Sequence, residues 1–416
     1  MPPGMLTFGE CQRVESEHGS PFYLFDRERF VGNYRDLERA FRERYDRVTI
    51  GYSYKTNYIP RICRLVKELG GHAEVVSRLE YDLALRIGQE PETIIFNGPV
   101  KRCEDIELAL RNGSQVNLDS FCELDHVRAF AERNPGRPAR IGLRVNMNLA
   151  DEGGASHVQE GLRVGRFGFP PESLRQVIPI LAGRGLRVRS LHGHSSSTSR
   201  STWIYERIAR TLCQLAEELL PDTVEDVNVG GGFFGRMPPG LGPPSPPSFD
   251  DYAEAIVRAL EESAWFRRRR PSLVLEPGVA LVADCLSFVS RVVDVKEIGG
   301  RTLAVVDGSV LNTKPSMHRK NQPHQVIRPG GLAEVRERLL SVTGGTCMEK
   351  DYLLDDVVCG LARGDYLRID NVGAYSLVMA PPFIHAAPAV VMREQGRFVL
   401  LRKRQTFDHF FENFLM

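Results

Sequence analysis

Three absences narrow the possibilities before any motif is read. No stretch of the 416 residues approaches the roughly 18 apolar residues that a membrane-crossing helix needs, so no membrane role is expected. The opening segment, MPPGMLTFGECQRVESEHGS, has no basic start followed by an apolar run, so it is not expected to act as a secretory leader. The eight cysteines (11, 63, 103, 122, 213, 285, 347 and 359) include no C-x-x-C pair. That argues against a zinc site or a disulfide framework and fits a cytoplasmic location. Charge imbalance is also missing. A net charge of +1 gives no electrostatic reason to expect nucleic acid or an anionic membrane as a partner. Lysine is scarce: only eight of the 54 basic residues are lysines, so each merits separate attention.

What is present is a chain too long for one small domain and suited to a barrel-sized domain plus a second one. Short β-rich runs recur at 48–54, 72–76, 94–97, 116–119, 141–146, 188–192, 225–229 and 273–276. Segments with apolar residues at helical spacing lie between them, such as 60–69 and 102–112. Eight strands alternating with helices predict a (β/α)8 barrel. An open doubly wound sheet is the main rival, but no glycine fingerprint follows the first strand. After Glu276 the texture changes. Runs at 281–297, 302–306, 366–370, 388–393 and 397–401 predict a β-rich second domain, and PFYLFD near the amino terminus is a strand that could join it. Two long loops are expected, one at 236–250, where prolines forbid regular structure, and a mobile flap at 149–165.

The predicted carboxyl ends of the barrel strands carry Lys55, Glu74, Asn97, Asp119, Arg144, His192 with His194, Gly230–Gly232 and Glu276. Barrel active sites gather at those ends. Lys55 sits in GYSYKTNY. A lysine at a strand end is ordinarily solvated, but one held among apolar groups becomes a nucleophile toward an aldehyde. The run VGGGFFG (229–235) is a plain turn or a cradle of backbone N–H groups for a phosphate, and its place after strand seven suits the second reading. Glu276 is either a surface ion-pair partner or the carboxylate that keeps a pyridine nitrogen protonated. In HGHSSS (192–197) a ring could stack on a flat cofactor and a hydroxyl could meet its phosphate. Two histidines at i, i+2 also share a face and are compatible with a metal, yet no carboxylate or cysteine ligand accompanies them, so none is expected. Together these groups suit pyridoxal 5′-phosphate held as a Schiff base on Lys55.

These motifs resemble the fold type III pyridoxal-phosphate decarboxylases, the group containing the ornithine, arginine and diaminopimelate decarboxylases, with alanine racemase as a barrel relative. The resemblance covers nearly the whole chain. SYKTN is similar to the family's lysine motif, and GHAEVVSRLE to its second-strand motif, which implies Glu74 near the lysine with Ser77 and Glu80 nearby. LHGHSSS is similar to H-x-H-x-x-S, implying His194 as the stacking ring and Ser197 as a phosphate ligand. NVGGGFFG implies a phosphate loop with Gly231 and Gly232; LEPG supplies Glu276 and Gly278; Arg144 joins the cofactor-binding set. In the second domain, GTCMEKD (345–351) resembles G-P-x-C-x-x-x-D, a motif donated across a homodimer interface. It implies Cys347 as the acid that reprotonates the carbanion, with Met348, Glu349 and Asp351 on the substrate side. NVGAYS implies that Tyr375 reaches the phosphate.

The resemblance thus implies an α/β fold: a pyridoxal-phosphate-binding (β/α)8 barrel over 26–279 and a β-rich domain, sandwich or barrel, from 1–25 plus 280–416. The implied activity is decarboxylation of a small-molecule amino acid, in a homodimer with shared active sites. Several positions depart from the pattern. Val279 replaces the usual arginine after Glu-Pro-Gly, Met348 stands where ornithine and diaminopimelate enzymes carry an acidic residue, Gly344-Gly345 replaces Gly-Pro, and Phe383-Ile384 replaces Phe-Asn. These departures point away from the common diamino acids and toward a modified or conjugated amino acid, such as a siderophore or antibiotic intermediate. Two rival activities fit the residues less well. A racemase would pair the ring nitrogen with arginine rather than Glu276. A non-catalytic homologue would tend to lose the lysine or the cysteine, and both are here.

Overall fold

The computed structural model describes residues 6–147, 149, 162, 164–195, 199–330 and 335–415. The expected flap at 149–165 falls largely outside them, and so does Ser197. The chain divides into two compact units, one of 34–235 with 246–280 and the other of 1–33, 236–245 and 281–416.

The first unit is a closed barrel of eight parallel strands, β2 to β9: Val48–Ser53, His72–Val75, Ile94–Phe96, Gln115–Leu118, Arg140–Val145, Val188–Gly193, Asp226–Asn228 and Ser272–Leu275. The strands lie within one or two residues of the runs read from the sequence. Closure is made by β2 on β9, with Val48 opposite Leu273. Successive side chains of a strand point to opposite faces, and the two faces differ sharply here. Tyr52, Val75, Phe96, Leu118, Leu143, Leu191, Val227 and Leu275 are fully buried and apolar. The alternate positions Ser53, Glu74, Asn117, His192 and Asn228 are just as buried but polar. One set packs against the helices outside the strands, and the other fills the barrel's interior. The helices follow from local sequence as well. Ser248 caps Phe249–Glu261 reciprocally with Asp251, so this helix begins one residue before the end of the loop expected at 236–250.

In the second unit nine strands form one sheet. Strand β1 (Phe22–Phe25) pairs antiparallel with β10 (Leu286–Ile298) and parallel with β16 (Ala389–Glu394), so the amino-terminal strand does join the β-rich part. Strands β11 (Arg301–Val306), β12 (His324–Ile327), β13 (Arg338–Thr343), β14 (Tyr352–Cys359), β15 (Tyr366–Ile369) and β17 (Arg397–Arg402) complete it. Residues 281–285 were expected in a strand. They form helical turns instead, because the Asn33 amide donates to the Leu281 carbonyl at 3.1 Å and to Asp284 at 2.7 Å. Three strands, β12 to β14, were not anticipated. In β14 the pair Asp355-Asp356 interrupts the alternation, and Asp356 has φ of 47°. The helix Phe8–His18 was also missed; it buries only Cys11 and Val14 against the sheet, a stripe too thin to read as periodicity.

Gly142 shows how little room the barrel interior has. A Cβ there would lie 1.9 Å from Asn117 Oδ1 and 2.8 Å from Gln115 Nε2. The substitution Gly142→Ala is expected to cost about 1–3 kcal/mol through overpacking. Thermal denaturation followed by circular dichroism would register it as a lower Tm than that of the wild type.

Candidate active site

Strand ends bring the predicted barrel residues together. Lys55 lies just past β2, in the short 3-10 turn Tyr54–Thr56. Its Nζ forms an ion pair with Glu74 Oε2, and Ser53 Oγ donates to the same carboxylate oxygen at 2.6 Å. The other Glu74 oxygen accepts from Asn97 Nδ2 at 2.9 Å. The same nitrogen donates to Glu276 Oε1 at 2.8 Å, and Asn228 Nδ2 donates to that oxygen at 2.7 Å. His192 Nε2 stands 3.2 Å from Glu276 Oε2. Both carboxylates are nearly inaccessible, Glu74 at 1% exposure and Glu276 at 5%. Burial opposes the charge on Glu276. The positive field of His192 and Lys55, with the Asn228 donor, outweighs that opposition and holds the carboxyl well below the usual range.

The glycine run is shaped for close approach. Gly230 and Gly232 have φ of 72° and 96°, a region that other residues rarely adopt. At Gly231 a Cβ would meet the Glu276 carbonyl oxygen at 1.8 Å, and at Gly278 it would meet Thr56 Oγ1 at 2.1 Å. Glycine is therefore required at Gly231 for the loops after β8 and β9 to lie together, and at Gly278 for the loop after β9 to lie against the turn after β2. His194 is held against this loop, since the Gly231 N–H donates to its Nδ1 at 3.2 Å. Desolvation in the barrel mouth, then Arg144, His192 and Lys55, push the His194 pKa down to about 3, so the ring is neutral at ordinary pH. Ser77 caps the helix Arg78–Arg86, and Glu80 returns a bond by accepting from the Val76 N–H at 2.7 Å. Burial raises the Glu80 carboxyl to about 7.

A second buried charge cluster backs Arg144. Its Nη1 is 3.5 Å from Asp119 Oδ1, and its guanidinium lies 4.5 Å from the Phe167 ring centre. Glu123 accepts from the Asp119 N–H at 2.8 Å and pairs with Lys101 Nζ at 2.8 Å. The Lys101 side chain is completely enclosed.

The remaining predicted residues belong to the second unit. Cys347 and Glu349 are exposed and Met348 is half-buried, on the loop between β13 and β14. That loop is shaped around Asp351, which is 3% exposed. Its Oδ1 accepts from Val310 N at 2.7 Å and Ser309 Oγ at 3.1 Å, and its Oδ2 from the Thr346 N–H at 3.2 Å. Asp351 was expected on the substrate side. Its carboxylate accepts from these protein donors, and it sets the shape of the loop. Gly344 is needed beside it, because a Cβ there would stand 2.3 Å from Asp351 Oδ2. Tyr375 is 40% exposed, with φ of 60°, on a turn fixed by Gly373. A Cβ on Gly373 would meet the Val282 carbonyl oxygen at 1.8 Å.

Sequence reading gave no role to four groups that build the barrel site: Ser53, Asn97, Asn117 and Asn228. Their signal was present as buried-strand positions occupied by small polar residues at period two. Among the described residues, no cluster of three or more histidine, cysteine and acidic side chains could hold a metal ion. Among them, too, no helix is long and apolar enough to cross a membrane.

A lysine amine, a glycine loop and an ionised carboxylate around one barrel mouth fit a phosphorylated pyridine aldehyde. The donor set matches each part of such a molecule: the Lys55 amine suits its aldehyde, the buried Glu276 carboxylate its ring nitrogen, and the loop turned by Gly230 and Gly232 its phosphate.

Comparison with known proteins agrees with that geometry. The sequence model of the family described as "Pyridoxal-dependent decarboxylase, pyridoxal binding domain" matches residues 32–283. The diaminopimelate decarboxylase of Methanothermobacter thermautotrophicus is 28% identical over 413 residues, covering 97% of this chain and 94% of the relative. A probable chloroplastic diaminopimelate decarboxylase of Oryza sativa is 29% identical, over 97% of this chain and 82% of the relative. The solved structure of the M. jannaschii diaminopimelate decarboxylase in complex with L-lysine superposes with a TM-score of 0.85 at 26% identity, covering 98% of this chain and 94% of that one.

Three outcomes are expected. Lys55→Ala removes the visible band of lysine-bound cofactor, and a band that persists in this variant contradicts the assignment. His194 resonances stay at their neutral positions when pH is lowered from about 8 to 5 in an NMR titration. Because the folded pKa lies below the unfolded one, this group favours the folded state above about 6.5 and its contribution falls as pH drops toward 3. His194→Asn removes that component of acid sensitivity.

Proposed function

The chain belongs to the pyridoxal-dependent decarboxylase family, and from that premise we propose that it decarboxylates an amino acid or amino-acid conjugate whose far end differs from that of diaminopimelate or ornithine. It is a pyridoxal-phosphate enzyme of the carboxy-lyase type. The observation that carries decarboxylation is the buried, ionised Glu276, placed by Asn97, Asn228 and His192. A carboxylate at this point holds a proton on a ring nitrogen. The rival racemase of the barrel type carries the expectation of an arginine there.

Pyridoxal phosphate, when bound, supplies the aldehyde that condenses with amines and the pyridinium sink for electrons left by departing CO2. The protein's part is positional and electrostatic. Lys55 provides the amine, and Glu74 accepts its proton contact and fixes the direction of Nζ. In the glycine loop the Gly230 and Gly231 N–H groups are given to Asn228 Oδ1 and His194 Nδ1, so a phosphate would be met by N–H groups farther along the loop, with the neutral His194 ring beside it. Arg144, backed by Asp119, carries fixed positive charge in the barrel mouth. Cys347 is the proposed acid that returns a proton to the substrate carbon. We place it, with Met348 and Tyr375, in the active site of a second copy of the chain, which makes the functional unit a homodimer acting in the cytoplasm.

Substrate choice rests on Val279 and Met348. A thioether at 348 cannot pair with a distal ammonium, and an aliphatic group at 279 cannot clamp a distal carboxylate. Both favour a substrate whose far end is masked or conjugated, of the kind made on the way to siderophores or antibiotics.

The test is CO2 release from meso-diaminopimelate, ornithine, lysine and their side-chain-acylated forms. Acylated substrates are expected to turn over faster, and Met348→Glu is expected to raise kcat/KM for diaminopimelate about tenfold. Preference of the wild type for free diaminopimelate would overturn the substrate proposal. Optical rotation lost without CO2 would replace decarboxylation by racemisation. Sedimentation is expected to show a dimer, and an active monomer would refute sharing of sites.

A further inference from the structure

We infer that Asn97 is a positioning residue that keeps Glu74 and Glu276 ionised at the same time, and thereby ties the Lys55 amine to the ring-nitrogen carboxylate through one side chain. Its significance rests on the proposed cofactor chemistry, while its geometry stands on the barrel alone.

Two carboxylates sharing a buried space ordinarily cannot both ionise, because like charges in a low dielectric push one pKa up. Here a single amide nitrogen stands between them. Asn97 Nδ2 carries two hydrogens and has two acceptors, Glu74 Oε1 at 2.9 Å and Glu276 Oε1 at 2.8 Å. Ionised carboxylates accept only, so the amide must present its NH2 to them. The orientation is enforced from behind. Asn97 Oδ1 accepts from Asn117 Nδ2 at 2.7 Å, and Asn117 Oδ1 accepts from Gln115 Nε2 at 3.2 Å. The chain of donors therefore runs one way, from Gln115 through Asn117 and Asn97 to the two acids. Gly142 keeps it compact, since any Cβ there would strike Asn117.

The charged and titratable groups around the two acids come from five strands. Lys55 follows β2 and Glu74 is on β3, with Glu80 in the helix beyond it. Arg144 is on β6, His192 on β7 with His194 just past it, and Glu276 follows β9. Each of the two acids has its own basic neighbour, Lys55 for Glu74 and His192 for Glu276. Asn97 is bonded to both acids. Without its two donors the acids would face each other with less compensation, and one would take up a proton. If that acid is Glu276, the ring nitrogen loses its partner; if Glu74, the lysine does. Either change alters the pH at which the lysine-bound cofactor titrates.

Infrared difference spectra of the purified protein, with and without added pyridoxal 5′-phosphate, test this. At about pH 8, Asn97→Leu minus wild type is expected to show the C=O stretch of a protonated carboxylic acid that moves on 13C-glutamate labelling. Asn97→Asp keeps the shape but can donate only when protonated, so its acid band is expected to move on 13C-aspartate labelling instead. In both variants the visible band of reconstituted protein is expected to titrate about one pH unit or more away from the wild type. A folded Asn97→Leu protein with no acid band and an unchanged visible titration overturns the inference. If that variant does not fold, the Asn97→Asp variant decides: an ionised new carboxyl together with an unchanged visible titration overturns the inference. A wild type that neither colours with the cofactor nor releases CO2 defeats the proposed function, and the infrared comparison still decides the role of Asn97.

Discussion

The site depends on burying negative charge without neutralising it. Two glutamates are shut inside a parallel barrel, where the desolvation cost of an ion is several kcal/mol. Such burial is tolerated only when cations and donors surround the charge. The barrel meets that need with side chains from most of its strands, and the interior is polar near the mouth for this reason. An ordinary barrel of this class fills its interior with branched apolar residues. This one gives up apolar packing at Ser53, Glu74, Asn97, Asn117 and Asn228 and keeps it on the outer face of the same strands. Register is thereby doubly specified, since a slip of one residue would exchange the acids with Val75 and Leu275.

Much of this was legible beforehand. Eight alternating runs predicted eight strands, and their carboxyl ends named Lys55, Glu74, Arg144, His194, the glycine loop and Glu276. Those residues stand out because each type is chemically unusual at a strand end. The amides were harder to see. Asn97 was noticed at its strand end, but nothing in a linear sequence tells which acid an amide will meet. Asn117 and Asn228 lay inside predicted strands, where a polar residue reads as solvent-facing. Only closure of the barrel turns that alternation inward.

The sheet-forming unit was less readable. Its longest strand, Leu286–Ile298, and the amino-terminal strand were recognisable from continuous apolar character. Strands β12 to β14 were not, because their burial is partial and their pairing with neighbours contains register shifts or few apolar positions. Asp351 illustrates a second limit. Motif position placed it on the substrate side, and no linear pattern showed that its carboxylate would also accept from Ser309, Val310 and Thr346. A buried acid that meets several backbone and hydroxyl donors shapes a loop. The same kind of group set against a lysine amine, as at Glu74, remains available to chemistry.

Lys101 has a consequence of another kind. Its ammonium is sealed between Glu123 and the Gly98 carbonyl, so it is withdrawn from reaction with carbonyl compounds. Lys67 is engaged with Glu90 and the Gly88 carbonyl, and arginine supplies nearly all the remaining positive charge. Guanidinium groups stay protonated and do not condense with simple aldehydes under cellular conditions. A reactive aldehyde arriving at this protein therefore meets few competing amines on the surface. Selective capture at Lys55 is helped partly by subtraction: with arginine in place of most lysines, only Lys296, Lys320, Lys350 and Lys403 among the described lysines stand exposed to compete for a carbonyl reagent.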